Sequence, residues 1–325
     1  MVELHPPAIG PLPPWDPEIK PVIDTWPRHN PEQDGLADFL TSRGDRLPAA
    51  EVVRRGVFKV TEHAIAGSRR PITLTVVTPT AAAVRGAIYW LHSGGQVGGA
   101  AVAGDIAPVL DIAERHDLVV VAAEYALAPE FPAPAGLEDA YDGFVWTLEN
   151  APLLEYPPGI VFLHGLSGGG GLAAGAALLA RDAGHRWAGL VLDGPMLDDR
   201  LASVSMHQHA ATDLPMLPGL QAMWAAITGN DASLHRKAPH AVPGRLTGTD
   251  LSGLPPTYIM CGANDPFRDE TTAFAEAMWR SGGTVDLHQW AGTLHGFDWL
   301  LPETHISQEM TAGRRSWYDR VMARL

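Results

Sequence analysis

The sequence predicts an α/β fold, a mostly parallel sheet flanked by helices, and three observations carry that prediction. From about residue 56 onward, short β-branched runs alternate with longer segments of helical periodicity. Hydrophobic residues make up 46% of the 325 residues and charged residues 18%, enough apolar surface for a large core and too much for a disordered chain. The 34 glycines and 28 prolines follow no period, so they mark turns and close backbone approaches, not a collagen or a solenoid.

Taken in order, residues 1–50 are rich in proline and charge, with few β-branched residues before Val52-Val53, and read as an N-terminal cap segment. Eight strands are expected: Val57–Ile65, Ile72–Thr78, Ala87–Leu91, Leu118–Ala123, Ile160–Leu163, Leu190–Leu192, Thr257–Met260 and Val285–Gln289. Ala66-Gly67-Ser68-Arg69-Arg70 is short enough to join the first two as a hairpin, so the sheet opens antiparallel and continues parallel. Helical spacing falls on Ile106–His116, Gly136–Glu149, Leu172–Ala183 and Glu270–Ser281, with a last helix over 303–324. Residues 201–254 break the rhythm, are rich in Met, His and Trp, and read as a helical cap insertion between two parts of one catalytic domain, 51–200 and 255–325.

Composition excludes several function classes. Lys+Arg 23 against Asp+Glu 37 gives a net charge of −14, which disfavours nucleic acid and anionic membranes as partners. The single Cys261 can neither close an internal disulfide nor build a cysteine-based zinc site, and reads as a small core residue. The start of the chain lacks the basic and apolar regions of a secretory signal, and no run of 18 apolar residues occurs. The expectation is a cytoplasmic protein without membrane insertion; a homodimer is compatible with the sequence but not required by it.

The chemistry sits where strands end. Ile160–Leu163 runs into His164-Gly165-Leu166-Ser167-Gly168-Gly169-Gly170-Gly171 and then an apolar helix, a strand, a glycine turn with serine at its apex, and a helix. The same glycines admit a second reading: Gly168-x-Gly170-x-x-Ala173 with Asp193 twenty residues on matches a dinucleotide fingerprint, although four or more strands precede it where the fingerprint marks the first. Ala87–Leu91 ends in His92-Ser93-Gly94-Gly95-Gln96, where paired glycines leave amide N–H groups free, the form expected of an oxyanion hole. Asp265 and His295 fall just past the carboxyl ends of the last two strands, and the order Ser167, Asp265, His295 is that of α/β-hydrolases. Asp269 and Glu270 remain rivals for the acidic place, or caps for the following helix.

These stretches resemble the bacterial hormone-sensitive-lipase-like carboxylesterases, the H-G-G-G branch of the α/β-hydrolases. The resemblance rests on His92-Ser93-Gly94-Gly95, on Glu124-Tyr125-Ala126-Leu127-Ala128-Pro129-Glu130 with Leu137-Glu138-Asp139-Ala140, on Gly165–Gly169, on Asp265-Pro266-Phe267-Arg268-Asp269-Glu270, and on His295-Gly296-Phe297. It implies an eight-stranded α/β-hydrolase fold with a helical cap, Ser167 as nucleophile, His295 as general base, Asp265 as its partner, and the amides of Gly94, Gly95 and Gly168 as the oxyanion hole. The implied activity is hydrolysis of a small-molecule carboxylic ester of short to medium acyl chain through an acyl-enzyme, with no cofactor and no metal. Acyl transfer, lactone cleavage and amide or carbamate hydrolysis would use the same triad, and a non-catalytic receptor is the remote alternative.

Three departures bear on substrate. Ser93 stands at the first glycine of H-G-G-G, Leu166 where the family carries Asp or Glu, and Ala126 where it carries Arg. Loss of an acidic and a basic side chain suggests that positions 126 and 166 were once partners. Ser93, Leu166, Met206, Met216 and Trp224 are the expected substrate-binding residues, with Trp15, Trp26 and Met223 also placed to roof an acyl pocket. His92 reads as a loop-shaping residue, Glu138 and Asp139 as fold-supporting groups, and His207, His209, His235 and His240 as solvated positions rather than a zinc site.

Overall fold

The computed structural model describes residues 9–26, 36–41, 43–80, 83–212 and 216–325. Its sheet has eight strands: β1 (Phe58–Ala66), β2 (Pro71–Pro79), β3 (Gly86–Leu91), β4 (Leu118–Glu124), β5 (Val161–Leu166), β6 (Gly189–Asp193), β7 (Thr257–Gly262) and β8 (Val285–Trp290). They lie in the order β1-β2-β4-β3-β5-β6-β7-β8. β1 and β2 form the expected hairpin, with Phe58 opposite Pro79 and Ala66 opposite Pro71. β2 meets β4 antiparallel, and every later pairing is parallel.

Central strands buried on both faces should be apolar without alternation, and β3, β5 and β7 are buried at every position. Alternate residues feed two core layers. Tyr89, Leu91, Val161 and Leu163 join one; Ile88, Trp90 and Phe162 join the other. Of the helices, α1 (Lys20–Thr25), α2 (Ala37–Thr41) and α3 (Ala49–Val53) precede the sheet, followed by α4 (Ala107–His116), α5 (Ala135–Glu149), α6 (Gly168–Asp182), α7 (Val204–Ala210), α8 (Met216–Thr228), α9 (Leu234–Lys237), α10 (Arg268–Arg280), α11 (Phe297–Leu300) and α12 (His305–Met322). α5, α6 and α10 supply the first layer through residues such as Phe144, Leu172 and Phe274, whereas α4 and α12 supply the second through Leu110, Ile112, Trp317 and Tyr318. The edge strand β1 presents Lys59, Glu62 and other exposed residues to solvent, charges that discourage further strand pairing.

Among the described residues the segment from 201 to 254 contains no strand, and Met206, Met223, Trp224 and Ile227 sink into the first layer rather than forming a core of their own. Ile19 and Ile23 of α1 sink into the second layer. Of the two segments, then, each borrows one face of the sheet's core. No helix among the described residues is long and apolar enough to cross a membrane.

The largest boundary shift from the sequence reading lies between β5 and α6. His164, Gly165 and Leu166 continue β5, and α6 begins at Gly168, four residues before the expected start at Leu172. Four successive glycines read as a loop because glycine is a poor helix former, but here close packing overrides propensity. A Cβ on Gly169 would stand under 3.0 Å from the carbonyl oxygens of Leu91 and His92, backbone atoms that cannot step aside. Gly169→Ala is therefore expected to lower unfolding free energy by about 1–3 kcal/mol in urea titrations. Gly104→Ala, where nothing lies within 4 Å of the new carbon, should stay within about 0.5 kcal/mol of the parent, and equal losses at both sites would refute the account.

Candidate active site

Ser167 stands between β5 and α6 with φ 59° and ψ −121°, a conformation that an L-residue holds only when its neighbours impose it. They do so through the backbone. Its N–H donates to Asp193 O at 2.9 Å, and its carbonyl accepts from Met196 N at 2.9 Å and Gly171 N at 3.1 Å. The side chain caps no helical N–H, which leaves the hydroxyl free at the start of α6, where the helix dipole favours negative charge.

The loop after β3 rests on that helix start. His92 stacks on Tyr125 with ring centroids 4.2 Å apart and donates from Nδ1 to Ser93 O at 2.6 Å. Burial pulls its imidazole down to about 4 despite that bond, so it is neutral and shapes the loop, as expected. Ser93 N donates to the buried Asp105 carboxylate at 2.8 Å. Gly94 and Gly95 then take φ of 110° and 59°, followed by Gln96 at 58°. A Cβ on Gly168 would stand 2.6 Å from Gln96 N, so the two segments meet as backbone against backbone. Among the described residues, the N–H groups of Gly94, Gly95 and Gly168 donate to no protein acceptor. Met223 Sδ, on α8, presses on Gly95 from above.

Asp265 follows β7 and is 1% exposed, with Oδ1 accepting from Phe267 N at 2.9 Å. Its Oδ2 lies 2.6 Å from His295 Nδ1, which fixes the tautomer that leaves Nε2 unprotonated in the neutral ring. Burial pushes the His295 imidazole down, but the charge and hydrogen bond of Asp265 more than offset it and leave the group above the usual histidine value. The ring sits against Gly194, where a Cβ would stand 3.1 Å from both Cε1 and Nδ1. The two rivals for the acidic place are occupied elsewhere: Asp269 accepts from Ser205 N at 2.6 Å, and Glu270 from Leu197 N at 2.7 Å.

The structure brings Ser167, Asp265, His295, Gly94, Gly95 and Gly168 to one edge of the sheet, past the carboxyl ends of β3, β5, β7 and β8. The expected substrate-binding residues are more scattered. Ser93 is half-buried within the oxyanion-type loop, Leu166 is buried in the second core layer with Leu294 and Phe297, and Met206 and Trp224 are buried in the first. Met216 opens α8, but its side chain lies outside the described residues. Positions 126 and 166 occupy separate environments: Ala126 N donates to Asp139, which also pairs with Arg70, while Leu166 packs near the His295 loop. Glu138 pairs with Arg69, so it and Asp139 support the fold.

Two further readings change. The acidic residue of the dinucleotide fingerprint, Asp193, is buried and bonded to His164 at 2.8 Å and Arg314 at 2.5 Å, leaving it no access to a ribose. His209, expected in solvent, is 2% exposed and hydrogen-bonds Asn264 O through Nε2 at 2.6 Å, because α7 packs onto the loop that carries Asp265. Sequence reasoning also passed over Asp105, Gly194 and Arg314. Only Asp105 carried a usable signal, a lone acid in an otherwise apolar stretch after the glycine loop.

Several known proteins are similar to this chain. Carboxylesterase NlhH of Mycobacterium tuberculosis is 35% identical over 184 residues, a match that spans 55% of this chain and 56% of that protein, so the chain covers little more than half of that relative's length. Esterase LipI of the same organism is 28% identical over 293 residues, 87% of each chain. Among solved structures, a bacterial heroin esterase superposes with a TM-score of 0.81 at 31% identity, covering 96% of this chain and 99% of its own. The family model described as the alpha/beta hydrolase fold matches residues 88–298, a stretch that opens within β3 and closes just beyond His295, and the chain belongs to that family.

Proposed function

We propose that the protein is a serine hydrolase that cleaves carboxylic esters of short to medium chain length through an acyl-enzyme. The observation that carries the reading is the 2.6 Å bond between His295 Nδ1 and Asp265 Oδ2, formed at the same sheet edge as a serine held in a strained elbow with its hydroxyl unspent. A serine hydroxyl is a weak nucleophile, so a base must take its proton as it attacks the ester carbonyl. In this reading His295 Nε2 takes it, and the buried Asp265 carboxylate stabilises the imidazolium. The carbonyl oxygen gains the negative charge, and the unpartnered amides of Gly94, Gly95 and Gly168 stabilise it; one such donor is typically worth about 2.7–4 kcal/mol. Collapse expels the alcohol, which takes its proton from the imidazolium, and water then repeats the sequence to free the acid and restore the serine.

The segment from 201 to 254 and the N-terminal segment are proposed to act together as a cap. In support, Gln208 of α7 donates to the carbonyls of Gly10 and Pro11 at 3.2 and 2.9 Å, and Met223 of α8 abuts Gly95. Met223 would then limit the room beside the oxyanion site and with it the acyl length accepted.

Ser167→Ala should reduce hydrolysis of p-nitrophenyl butyrate by about 10⁴-fold or more with the fold retained by circular dichroism; a variant as active as the parent would remove Ser167 from the role. Since the base must be neutral and the folded His295 sits above its ordinary value, kcat/KM should fall as pH drops through a midpoint above about 6.5. A limb centred below that value would contradict the assignment. Met223→Ala should raise kcat/KM for the octanoate relative to the acetate by about tenfold, and an unchanged ratio would detach α8 from acyl selection.

A further inference from the structure

Beneath the site lies a group of charges that the chemistry above does not use. Arg314, on α12, is fully buried; it donates from one terminal nitrogen to Asp193 Oδ2 at 2.5 Å and from the other to Asp298 Oδ2 at 3.1 Å. Asp193 Oδ2 also receives His164 Nε2 at 2.8 Å, and His164 Nδ1 accepts from Tyr318 OH at 3.1 Å, so one tautomer of the neutral imidazole satisfies both bonds. Three polar atoms of the group, Asp193 Oδ1, Asp298 Oδ1 and Arg314 Nε, are buried without a partner.

Such an arrangement is a poor way to stabilise a core, because buried ions lose their hydration and apolar replacements of equal volume are often no worse. Its placement is more telling than its energy. Asp193 ends β6, its carbonyl receives the Ser167 amide at 2.9 Å, and the next residue, Gly194, is the floor of the His295 ring. Asp298 lies three residues after His295, in the first turn of α11. Arg314 thus reaches one carboxylate on the strand end against which both Ser167 and His295 are seated, and a second on the loop that delivers His295.

We propose that Arg314 is a positioning residue for the hydrolytic reaction: by bridging Asp193 and Asp298 it fixes the separation of Ser167 from His295. The proposal rests on the serine-hydrolase reading above. Its planar fork matters, since two carboxylates on different elements must be met at once in fixed directions, which a lysine ammonium on a flexible stem does not do. Misplacement of a reacting pair by about 1 Å can cost about 100-fold in rate.

The test compares R314K, R314M and the charge-free triple variant R314M/D193N/D298N with the parent. The measurements are thermal unfolding, kcat and KM on p-nitrophenyl butyrate, and the rate constant for labelling of Ser167 by a fluorophosphonate. R314M leaves two buried carboxylates without their cation and is read only in the fraction that thermal unfolding shows folded; the triple variant removes those charges and R314K keeps the cation, so each can be read in the folded state. Both should show kcat lower by about 100-fold with KM within about twofold, and labelling slowed by a similar factor. Wild-type kcat and labelling rate in either folded variant would overturn the proposal. So would a loss that merely follows the folded fraction, seen as incomplete labelling at an unchanged rate constant. If the parent labels at Ser167 but turns over no ester, the ester reading fails, and Arg314 is then judged on the labelling rate alone.

Discussion

Backbone meeting backbone without an intervening Cβ is the constraint on which the rest of the molecule depends. α6 can seat its first turn against the loop after β3 only because residues 168 and 169 carry no side chain. That contact sets the height of the helix start above the sheet, the direction of the free amides, and the strained dihedrals of Ser167. The strain is sustained by three ordinary hydrogen bonds at the Ser167 peptide groups, from β6, the loop beyond it and the next turn of α6. The geometry of the elbow is a by-product of packing: the elements that make the core dense also make the turn at Ser167 sharp.

Most of the fold was legible because its strands are short apolar runs separated by glycine and proline, and all eight expected strands occur with ends shifted by a few residues. The start of α6 was not legible, since a glycine run carries no periodicity and only tertiary contact makes it helical. The triad candidates were visible from strand ends and order. Asp265 was preferred to Asp269 on the family resemblance alone; in the structure Asp265 follows β7 and bonds His295, whereas Asp269 stands in the first turn of α10 and bonds Ser205 N. Arg314 was invisible for a different reason: its partner Asp193 lies 121 positions away, and beside Arg315 it looks like one more charge on a solvated helix.

The electrostatic design is uneven in a useful way. The chain carries a net charge of −14, yet the immediate site sets one buried carboxylate against one imidazole and otherwise relies on neutral amides. Buried histidines around it, His92, His164 and His209, have their imidazoles pushed down chiefly by desolvation and serve as hydrogen-bonding struts. His295 alone combines burial with a carboxylate strong enough to reverse the shift. The environment, rather than the residue type, separates His295 from these structural imidazoles.

The N-terminal stretch adds a kinetic dimension. Asn264 Nδ2, next to Asp265, donates to Pro13 O at 2.7 Å, a contact between residues 251 apart, and Asp16 N donates to Gly292 O at 3.0 Å, three residues before His295. The loops that carry Asp265 and His295 are thus fastened to residues 13 and 16, far away along the chain. Contacts of such long range are slow to form, because a large loop must close before they contribute. The placement of these two loops therefore depends on closing a stretch of 251 residues, a far longer separation than any strand pairing beside them requires.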